Sequence, residues 1–263
     1  MAQDWDWVDD DSGWVPPPVD TTSPSVARIY DYALGGKDNY PVDREVADRI
    51  WAVVPDGHDV ARANRRFLLR AVEDMARAGV RQFIDLGTGI PTSPNVHETV
   101  WQVEPRARFV YVDNDPLVLA HNRALLHAEP RVVVLPHDLR DPATVLDDPA
   151  VRGLLDLDQP VGLLMIAVLH FVDLTAAPHV VARYRHALAP GSRIAISAVT
   201  SDGVAPERVR GTLDAYAKVS ATLVFRTRAE VEALFDGLDL AEPLADVYRS
   251  PHMAVLGGVA VTG

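Results

Sequence analysis

The chain has no cysteine among its 263 residues and no long uninterrupted run of apolar side chains. Without cysteine it cannot form disulfides, thiolate metal sites or a cysteine nucleophile, and this composition fits a reducing compartment. No stretch approaches the ~20 apolar residues of a membrane-spanning helix. The N-terminus also lacks the basic start and apolar core of a signal peptide. We therefore expect a soluble, cytoplasmic protein without a membrane partner, and we predict no metal site.

Basic residues are outnumbered as well: 25 Lys and Arg stand against 37 Asp and Glu, which gives a net charge of −12. Nucleic-acid phosphates are bound by clustered Lys and Arg, so an acidic chain is poorly suited to them. The nearest approach to a basic patch is a row of arginines at helical spacing, which is typical of a solvated helix face: Arg62, Arg65, Arg66 and Arg70. We predict a neutral or cationic small-molecule substrate and no nucleic-acid partner.

The first part of the chain divides into two segments. Residues 1–24 are rich in Asp, Trp and Pro and show no helical or strand period, which predicts an irregular tail. Residues 25–78 carry apolar side chains at helical spacing and no strand pattern. Gly35 ends the first predicted helix, Asp43–Val53 forms a second, and an apolar stripe predicts a third that stops at Gly79. We interpret residues 25–78 as a helical cover.

From Val80 onward, short apolar runs alternate with helical segments. Strands are predicted at Gln82–Leu86, Arg108–Val112, Val132–Leu135, Val161–Ile166, Arg193–Ala198, Leu244–Tyr248 and Met253–Val261. Helices are predicted between them, at Asn95–Val103, Pro116–Leu126, Ala143–Asp147, Ala177–Ala189, Pro206–Val219 and Arg228–Phe235. This alternation predicts an α/β fold with a doubly wound, mostly parallel sheet of about seven strands. A hairpin-length link joins the last two strands, so the final strand should run antiparallel.

An acid and two glycines follow the first predicted strand, in the run "FIDLGTGIP". In a doubly wound sheet, ligands bind outside the carboxyl ends of the strands. Gly87 and Gly89 let the backbone turn sharply and let a ligand approach closely. The carboxylate of Asp85 would repel a pyrophosphate but suits a ligand ammonium group. Ile90 and Pro91 stand where a dinucleotide site has a third glycine, which disfavours a nicotinamide oxidoreductase.

Acidic residues also follow the second and third predicted strands. Asp113 lies in the interval after the glycines at which an acid can chelate two ribose hydroxyls. Asp138 can accept a hydrogen bond from an adenine amino group, with Leu139 packed on the ring. After the fourth strand, "IAVLHFV" offers backbone carbonyls, an aromatic face and His170. Each acid alone is commonly a turn former or a helix cap, but their order at successive strand ends favours a binding site.

These residues resemble those of class I S-adenosylmethionine-dependent methyltransferases, and more narrowly the bacterial DUF574-type family. The stretches that carry the resemblance include "ARIYDYALGGKDNYPVDRE", "RQFIDLGTGIPT", "ARFVYVDNDPLVLAHNRALL" and "PVGLLMIAVLHFV". The resemblance implies a Rossmann-like methyltransferase domain over residues 79–263, with S-adenosylmethionine as the cofactor. It also implies methyl transfer to an acceptor, which we expect to be a small molecule.

The resemblance further implies where the cofactor is held. Gly87, Thr88 and Gly89 would wrap its methionine part with Asp85 near the amino group, and Asn114 would flank the ribose. The cover would add residues of the loop "GGKDNY", and Arg65 could pair with the cofactor carboxylate. The alternative for that loop is a capped helix end with ordinary turn chemistry. The full set of predicted cofactor-binding residues is Asp85, Gly87, Thr88, Gly89, Asp113, Asn114, Asp138, Leu139, Ala167, Asn39, Tyr40 and Arg65.

The predicted catalytic residue is His170, which could serve as a general base if the acceptor carries a proton. The competing interpretation is a structural histidine beside Phe171. Since the sequence contains no acceptor-site motif, a non-catalytic S-adenosylmethionine-binding sensor or regulator stays open as an alternative function. The residues do not identify the acceptor or its reacting atom.

Overall fold

The computed structural model describes residues 19–126, 128–217, 219, 221–241 and 243–263. Residues 19–24 form neither helix nor strand, and the rest of the predicted tail, residues 1–18, lies outside the described residues. Within the described ranges, no helix combines the length and the apolar character needed to cross a bilayer.

Helices and strands alternate along most of the chain. The α-helices of the described part are α1 (Val26–Leu34), α2 (Pro41–Val53), α3 (Gly57–Arg77), α4 (Val96–Trp101), α5 (Pro116–Leu126), α6 (Pro142–Leu146), α7 (Pro149–Leu154), α8 (Ala176–Ala187), α9 (Pro206–Tyr216) and α10 (Arg228–Glu232). The strands are β1 (Gln82–Leu86), β2 (Arg108–Val112), β3 (Val132–Leu135), β4 (Gly162–Ile166), β5 (Arg193–Thr200), β6 (Asp239–Leu240), β7 (Ala245–Arg249) and β8 (Ala254–Val261). Short 3₁₀ helices follow β4 at Leu169–Phe171 and α10 at Ala233–Phe235.

One mixed sheet contains all eight of these strands, in the order β3-β2-β1-β4-β5-β8-β6, with β7 also paired to β8. Strands β1 to β5 pair in parallel, and β8 runs antiparallel to β5, β6 and β7. The predicted fold class, with an antiparallel final strand, is therefore confirmed. Two short elements, β6 and α7, were not predicted: β6 has only two residues, too few to show a period. The start of α7 is marked in the sequence by Asp148 and Pro149.

Both faces of the sheet are buried, which is why its strands read as continuous apolar runs. Along β1, Phe83 packs on one face with Met75 of α3, whereas Ile84 packs on the other face in the cluster that holds Tyr184 of α8. These four side chains are fully buried. Burial of each large apolar side chain contributes about 1.5–3 kcal/mol, so the two helical layers fix the sheet between them.

Helices α1 and α2 lie over the carboxyl edge of the sheet. Ile50 of α2 packs with Val199 at the end of β5 and Val255 at the start of β8, and Ala27 of α1 contacts the cluster of Ile90 with α5. A buried ion pair joins the two helices, with Arg28 Nε 2.9 Å from Asp43 Oδ2. The helices thus close a space above the strand ends rather than adding to the sheet.

Candidate functional site

A cavity of about 950 Å³ lies between the strand ends and helices α1–α3, near the upper end of the ~300–1,000 Å³ that ligand sites enclose. It borders β1, the strand at which the strand order reverses. We call the lining residues at the carboxyl ends of β1, β2 and β3, and those directly after these strands, the strand wall. The helical wall comprises the lining residues of α1, α2, α9, α3 as far as Asn64, and the segments 170–171 and 221–224.

The turn after β1 follows a backbone path that favours glycine. Gly87 and Gly89 have φ angles of 71° and 68°, in the left-handed region. A Cβ on Gly87 would lie 2.5 Å from Cγ2 of Val168, so the loop after β4 packs directly on this glycine. A Cβ on Gly89 would meet no atom within 4 Å. The turn is therefore tightly packed at one glycine and open toward the cavity at the other.

Asp85 lies inside this turn, near the end of β1, and is 5% exposed. Burial raises the pKa of its carboxyl to about 7, against the hydrogen bond from Thr88 and the charge of Arg65. That hydrogen bond joins the Thr88 hydroxyl to Asp85 Oδ2 at 3.2 Å. A cationic ligand group beside Asp85 would favour the ionised carboxylate. The geometry therefore suits the predicted contact with an ammonium group.

Arg65 of α3 lines the same end of the cavity. Its Nη2 donates to the carbonyl oxygens of Thr92 at 2.5 Å and Pro94 at 2.6 Å. Its Nε is buried and has no hydrogen-bond partner in the described part of the chain. Burial lowers the pKa of the guanidinium, with Tyr30 and Asp85 opposing that shift. A buried N–H without a partner is uncommon, and a ligand carboxylate would satisfy it.

Asp113 directly follows β2 and supports the glycine turn. Its Oδ2 accepts a hydrogen bond from the Gly89 backbone N–H at 2.9 Å, and its Oδ1 accepts one from Asp115 at 2.9 Å. Burial raises the pKa of this carboxyl to about 6. Each carboxylate oxygen has a further lone pair, so Asp113 can hold the turn and still accept two ligand hydroxyls. Asn114 lines the cavity next to it.

Asp138 and Leu139, after β3, also line the cavity. Asp138 is already engaged, because Arg140 Nε lies 2.9 Å from its Oδ1 and Nη2 lies 2.5 Å from its Oδ2. These hydrogen bonds lower the pKa of the Asp138 carboxyl. Neighbouring His137 pairs with Asp148 through Nε2 at 2.7 Å. The carboxylate that was predicted to bind adenine is thus also part of an exposed ion pair.

Ala167, after β4, is the one non-glycine residue of the described ranges with a positive φ, 54°. Its N–H donates to the backbone oxygen of Ser197 at 3.2 Å and to the Ser197 hydroxyl at 2.9 Å. A left-handed backbone costs an alanine about 1–2 kcal/mol. Such strain clusters at functional sites, and Ala167 lines the cavity.

The same serine begins a chain of hydrogen bonds that runs along the side of the cavity. The Ser197 hydroxyl donates to Asn64 Oδ1 at 2.6 Å, and Asn64 Nδ2 donates to the Tyr30 hydroxyl at 3.0 Å. Asn64 and Tyr30 both line the cavity, and the chain links β5 to α3 and α1. Sequence reasoning missed this chain, because no local spacing relates three residues so far apart.

His170 lies in the 3₁₀ turn after β4, lines the cavity and is 7% exposed. Burial lowers the pKa of its imidazole to about 3, and the charge of Arg226 adds to that shift. The ring is therefore neutral, and its Nδ1 is buried without a hydrogen-bond partner among the described residues. The predicted catalytic role stays a prediction, although the residue lines the cavity and one of its ring nitrogens lacks a partner.

Arg226 holds the segment that carries His170. Its guanidinium is fully buried and donates to the carbonyl oxygens of Leu169 at 2.9 Å, Val172 at 2.8 Å and Asp173 at 3.3 Å. Sequence reasoning did not single out this arginine. It stands in the run "FRTRAEV", where only the tertiary structure distinguishes it from the less buried Arg228.

Asn39 and Tyr40, unlike the other predicted binding residues, do not line the cavity. Asn39 Nδ2 donates to Asp31 Oδ2 at 2.8 Å, and the Tyr40 N–H donates to Asp43 Oδ2 at 2.8 Å at the start of α2. A Cβ on Gly36 would lie 1.9 Å from Asp31 Oδ1, so this carboxylate is packed against the loop. In this structure the loop "GGKDNY" therefore serves mainly to end α1 and begin α2.

The helical wall contains aromatic side chains, of which sequence reasoning offered only the aromatic face of Phe171 and missed Trp51 and Tyr216. Trp51 stacks on His58 with ring centroids 4.2 Å apart, and Phe171 contacts His170 at 4.4 Å and Tyr216 at 6.1 Å. Trp51, Phe171 and Tyr216 all line the cavity. Trp51 and Tyr216 lie at the same helical spacing as ordinary core residues, so the sequence carries no signal that separates these two from the core.

Across the described ranges, no group of three or more His, Cys, Asp or Glu side chains is arranged to hold a metal ion.

The cavity brings together ten of the twelve predicted cofactor-binding residues, together with His170. Their roles stay predictions, because the geometry gives proximity and not occupancy.

Comparison with known proteins gives an independent result. Residues 12–248 match the family model of S-adenosyl methyltransferases. A DUF574 family protein from Streptomyces avermitilis MA-4680 is 42% identical, with 94% of this chain and 100% of that chain covered and a TM-score of 0.88. A protein from Thermobifida fusca YX, provisionally assigned as a methyltransferase, is 35% identical, with 95% and 99% covered and a TM-score of 0.87.

A more distant structure shares the fold alone. The N-methyltransferase NodS from Bradyrhizobium japonicum WM9, solved with S-adenosyl-L-homocysteine, is 14% identical, with 89% of this chain and 98% of that chain covered and a TM-score of 0.51. A search of curated proteins finds no match.

Proposed function

The chain belongs to the S-adenosyl methyltransferase family, and we propose that it methylates a small-molecule acceptor held against the helical wall. Its cofactor is S-adenosylmethionine, and the resemblance found in the sequence is confirmed. The observation that carries the proposal is the convergence of Asp85, Asp113 and the glycine turn on one cavity that extends to an aromatic, uncharged side. That cavity is large enough to hold a second molecule beside the cofactor.

The residues present fit the amino-acid end of the cofactor. The unpartnered Nε of Arg65 and the raised pKa of Asp85 are the features expected of a site that receives a carboxylate and an ammonium group. Gly89 leaves open space where a side chain would intrude. Arg65 and Asp85 would therefore hold the two charged groups of the methionine part, with the backbone of the turn beneath it.

The adenosyl end is assigned to the later strands. Asp113 would accept the two ribose hydroxyls through its remaining lone pairs, while its bonds to Gly89 and Asp115 fix the carboxylate. Leu139 and the neighbouring Asp138 would border the adenine. Because Asp138 is neutralised by an exposed ion pair with Arg140, whereas Asp113 is fixed by backbone N–H groups alone, we assign Asp138 a weaker contribution than Asp113.

When bound, the cofactor supplies a methyl group on a positively charged sulfur that is already an activated leaving group. The protein therefore contributes mainly by positioning, which can supply about 7–11 kcal/mol when two reactants are held in line. The strand wall would fix the donor, and the helical wall would fix the acceptor and exclude water. His170 would donate or accept a hydrogen bond at the acceptor. The lowered pKa of its imidazole makes a full proton transfer to this ring unfavourable.

The alternative left open by the sequence, a non-catalytic sensor, gains no support from any observation. Nor does the comparison favour it, since the family is one of methyltransferases. The expectation that the acceptor is not a nucleic acid rests on the net charge of −12 and stays a prediction.

The proposal is tested by titration calorimetry with two ligands. We expect S-adenosylmethionine and 5′-methylthioadenosine, which has the adenosyl group but no amino-acid end, both to bind the wild-type protein. Arg65→Met should weaken S-adenosylmethionine at least tenfold and change 5′-methylthioadenosine less than twofold, because only the former has the carboxylate. Arg66→Met is the matched control, since Arg66 is the exposed neighbour on α3. If neither ligand binds, the proposal fails.

A further inference from the structure

We propose that the methyl acceptor is an uncharged, planar aromatic molecule with a hydrogen-bonding substituent, seated on the aromatic side chains of the helical wall. This inference rests on the proposed function, since it concerns the half of the cavity that the cofactor does not need. Neither the family model nor the similar structures name an acceptor for this chain.

Aromatic surface in the helical wall is fixed in place before any ligand binds. Trp51 is held by His58 at 4.2 Å on one side and by Tyr32 at 4.9 Å. Phe171 is held by His170 at 4.4 Å. Trp51 and Phe171 are each only partly exposed, and both line the cavity. Rigid aromatic surfaces bind other flat rings with little loss of conformational freedom.

The few charged side chains of the helical wall favour an uncharged acceptor over an ionised one. The described residues of the helical wall include no lysine or arginine. Their single carboxylate, Asp31, is turned to the loop after α1, where its Oδ2 accepts from Asp38 at 3.0 Å and Asn39 at 2.8 Å and its Oδ1 packs against Gly36.

Next to this wall, Arg65 and Asp173 also line the cavity, but Arg65 donates to the carbonyl oxygens after the glycine turn and the Asp173 carboxylate accepts from Thr175 at 2.6 Å. An ionised acceptor on the wall would thus lose its hydration without gaining a free counter-charge, which is costly in a buried site.

Two polar groups in the same wall are left for a ligand. Nδ1 of His170 is buried without a partner, and the Tyr216 hydroxyl makes no hydrogen bond to the described residues. Burial lowers the pKa of His170 to about 3 and raises the pKa of Tyr216 to about 12, so both stay neutral at physiological pH. A hydroxyl, amino or carbonyl substituent on the ring would satisfy them without bringing a charge into the wall.

The test measures binding to protein saturated with S-adenosylhomocysteine, with four probes of similar size. We expect 2-naphthol to bind at least tenfold tighter than the anion 2-naphthoate, the cation 2-naphthylmethylammonium and the non-planar decahydro-2-naphthol. Equal or tighter binding of any of these three, or no binding of 2-naphthol, overturns the inference. If S-adenosylhomocysteine itself does not bind, the proposed function fails instead, so the two failures are distinguishable.

Three variants test whether 2-naphthol binds in the cavity. Trp51→Leu should weaken 2-naphthol at least tenfold and leave the affinity for S-adenosylhomocysteine within twofold. Trp101→Leu is the matched control, since Trp101 is also a partly exposed helical tryptophan but does not line the cavity. Tyr216→Phe removes only the hydroxyl and should weaken 2-naphthol more than naphthalene, which keeps the test informative if Trp51→Leu does not fold. Equal losses in Trp51→Leu and Trp101→Leu contradict the inference.

Discussion

The strand wall and the helical wall enclose one cavity but differ in composition. The strand wall carries four carboxylates, those of Asp85, Asp113, Asp115 and Asp138, whereas the helical wall presents mainly aliphatic and aromatic side chains. The strand wall also depends on backbone geometry, with two glycines in the left-handed region and an acid that accepts from the turn. One wall thus suits a charged, hydrogen-bonding ligand and the other a neutral one.

The two walls also differ in how the chain assembles them. Each strand-wall residue lies within a few positions of the end of a strand, so parallel pairing alone brings the set together. The helical wall joins α1, α2, α3 and α9, which meet only by tertiary packing. Binding of the shared cofactor can therefore be kept by a local motif, while acceptor choice depends on packing between distant segments.

The largest effect is expected at Arg226, which supports residues 169–173 and so holds the part of the helical wall that contains His170. Arg226→Met removes three hydrogen bonds and leaves the Val172 carbonyl oxygen without a donor, since the other two carbonyl oxygens still accept from the backbone. It should lower the free energy of unfolding by about 3–4 kcal/mol. Denaturant unfolding measures this loss. Arg210→Met is the control, because Arg210 is exposed on α9 and makes no hydrogen bond or ion pair with the described residues. It should cost at most about 0.5 kcal/mol. Equal losses in the two variants would show that the buried hydrogen bonds of Arg226 do not contribute to the free energy of unfolding.

The next effect separates the two glycines of the strand wall. Gly87→Ala adds left-handed strain and a contact with Val168, and should cost about 2–3 kcal/mol of stability. Gly89→Ala adds only the strain, about 1 kcal/mol, although its Cβ would enter the cavity. Thermal unfolding of both variants tests this order. Val168→Ala should restore about 1 kcal/mol to Gly87→Ala but nothing to Gly89→Ala; the reverse result would mean that Val168 is not the obstacle.

A smaller effect tests the ribose assignment on the strand wall. Asp113→Ala should weaken both S-adenosylmethionine and 5′-methylthioadenosine by about 1–3 kcal/mol, because both ligands have the ribose. Binding of 2-naphthol to the helical wall should change less than binding of either nucleoside. Calorimetry with Asp147→Ala, an exposed acid outside the cavity, serves as the control. Unchanged affinity for both ligands would mean that Asp113 only supports the turn.

The smallest effect is the pH dependence of cofactor binding. Because burial raises the pKa of Asp85 to about 7, the ionised carboxylate that pairs with an ammonium group is scarce below that pH. Affinity for S-adenosylmethionine should therefore rise from pH 5.5 to 7, by at most about tenfold per pH unit. Asp85→Asn should flatten this profile, whereas binding of 2-naphthol should vary little. A flat wild-type profile would contradict the assignment.

The same raised pKa values affect stability in the opposite direction. Between about pH 4 and pH 7 the folded chain holds protons on Asp85 and Asp113 that the unfolded chain releases. The contribution of these two carboxyls to the free energy of unfolding therefore falls as the pH rises through that window. A ligand that favours the ionised Asp85 should reduce this loss, which unfolding with and without S-adenosylhomocysteine can measure.

Most of the fold was predictable because its signals are local. The first three strands match their predicted spans, since β-branched and aromatic runs bounded by polar turns are unambiguous over four or five residues. The strand-wall residues were predictable for a related reason, because their position depends only on where each strand ends. By contrast, Asn39 and Tyr40 were assigned to the cavity from a loop pattern, and the structure places them outside its lining. The loop faces Asp31 instead, a contact that no spacing indicates.

By itself, the sequence determined a doubly wound sheet, an acid-and-glycine turn at its carboxyl edge and the family to which the chain belongs. These features depend on short-range periodicity and on backbone angles that few residues adopt. Only the tertiary structure decided that Trp51, Phe171 and Tyr216 share one wall, and that Arg226 is buried beneath His170. The physical reason is that side-chain burial depends on neighbours distant in the chain, so identical residue types can lie in the core, on the surface or at a cavity.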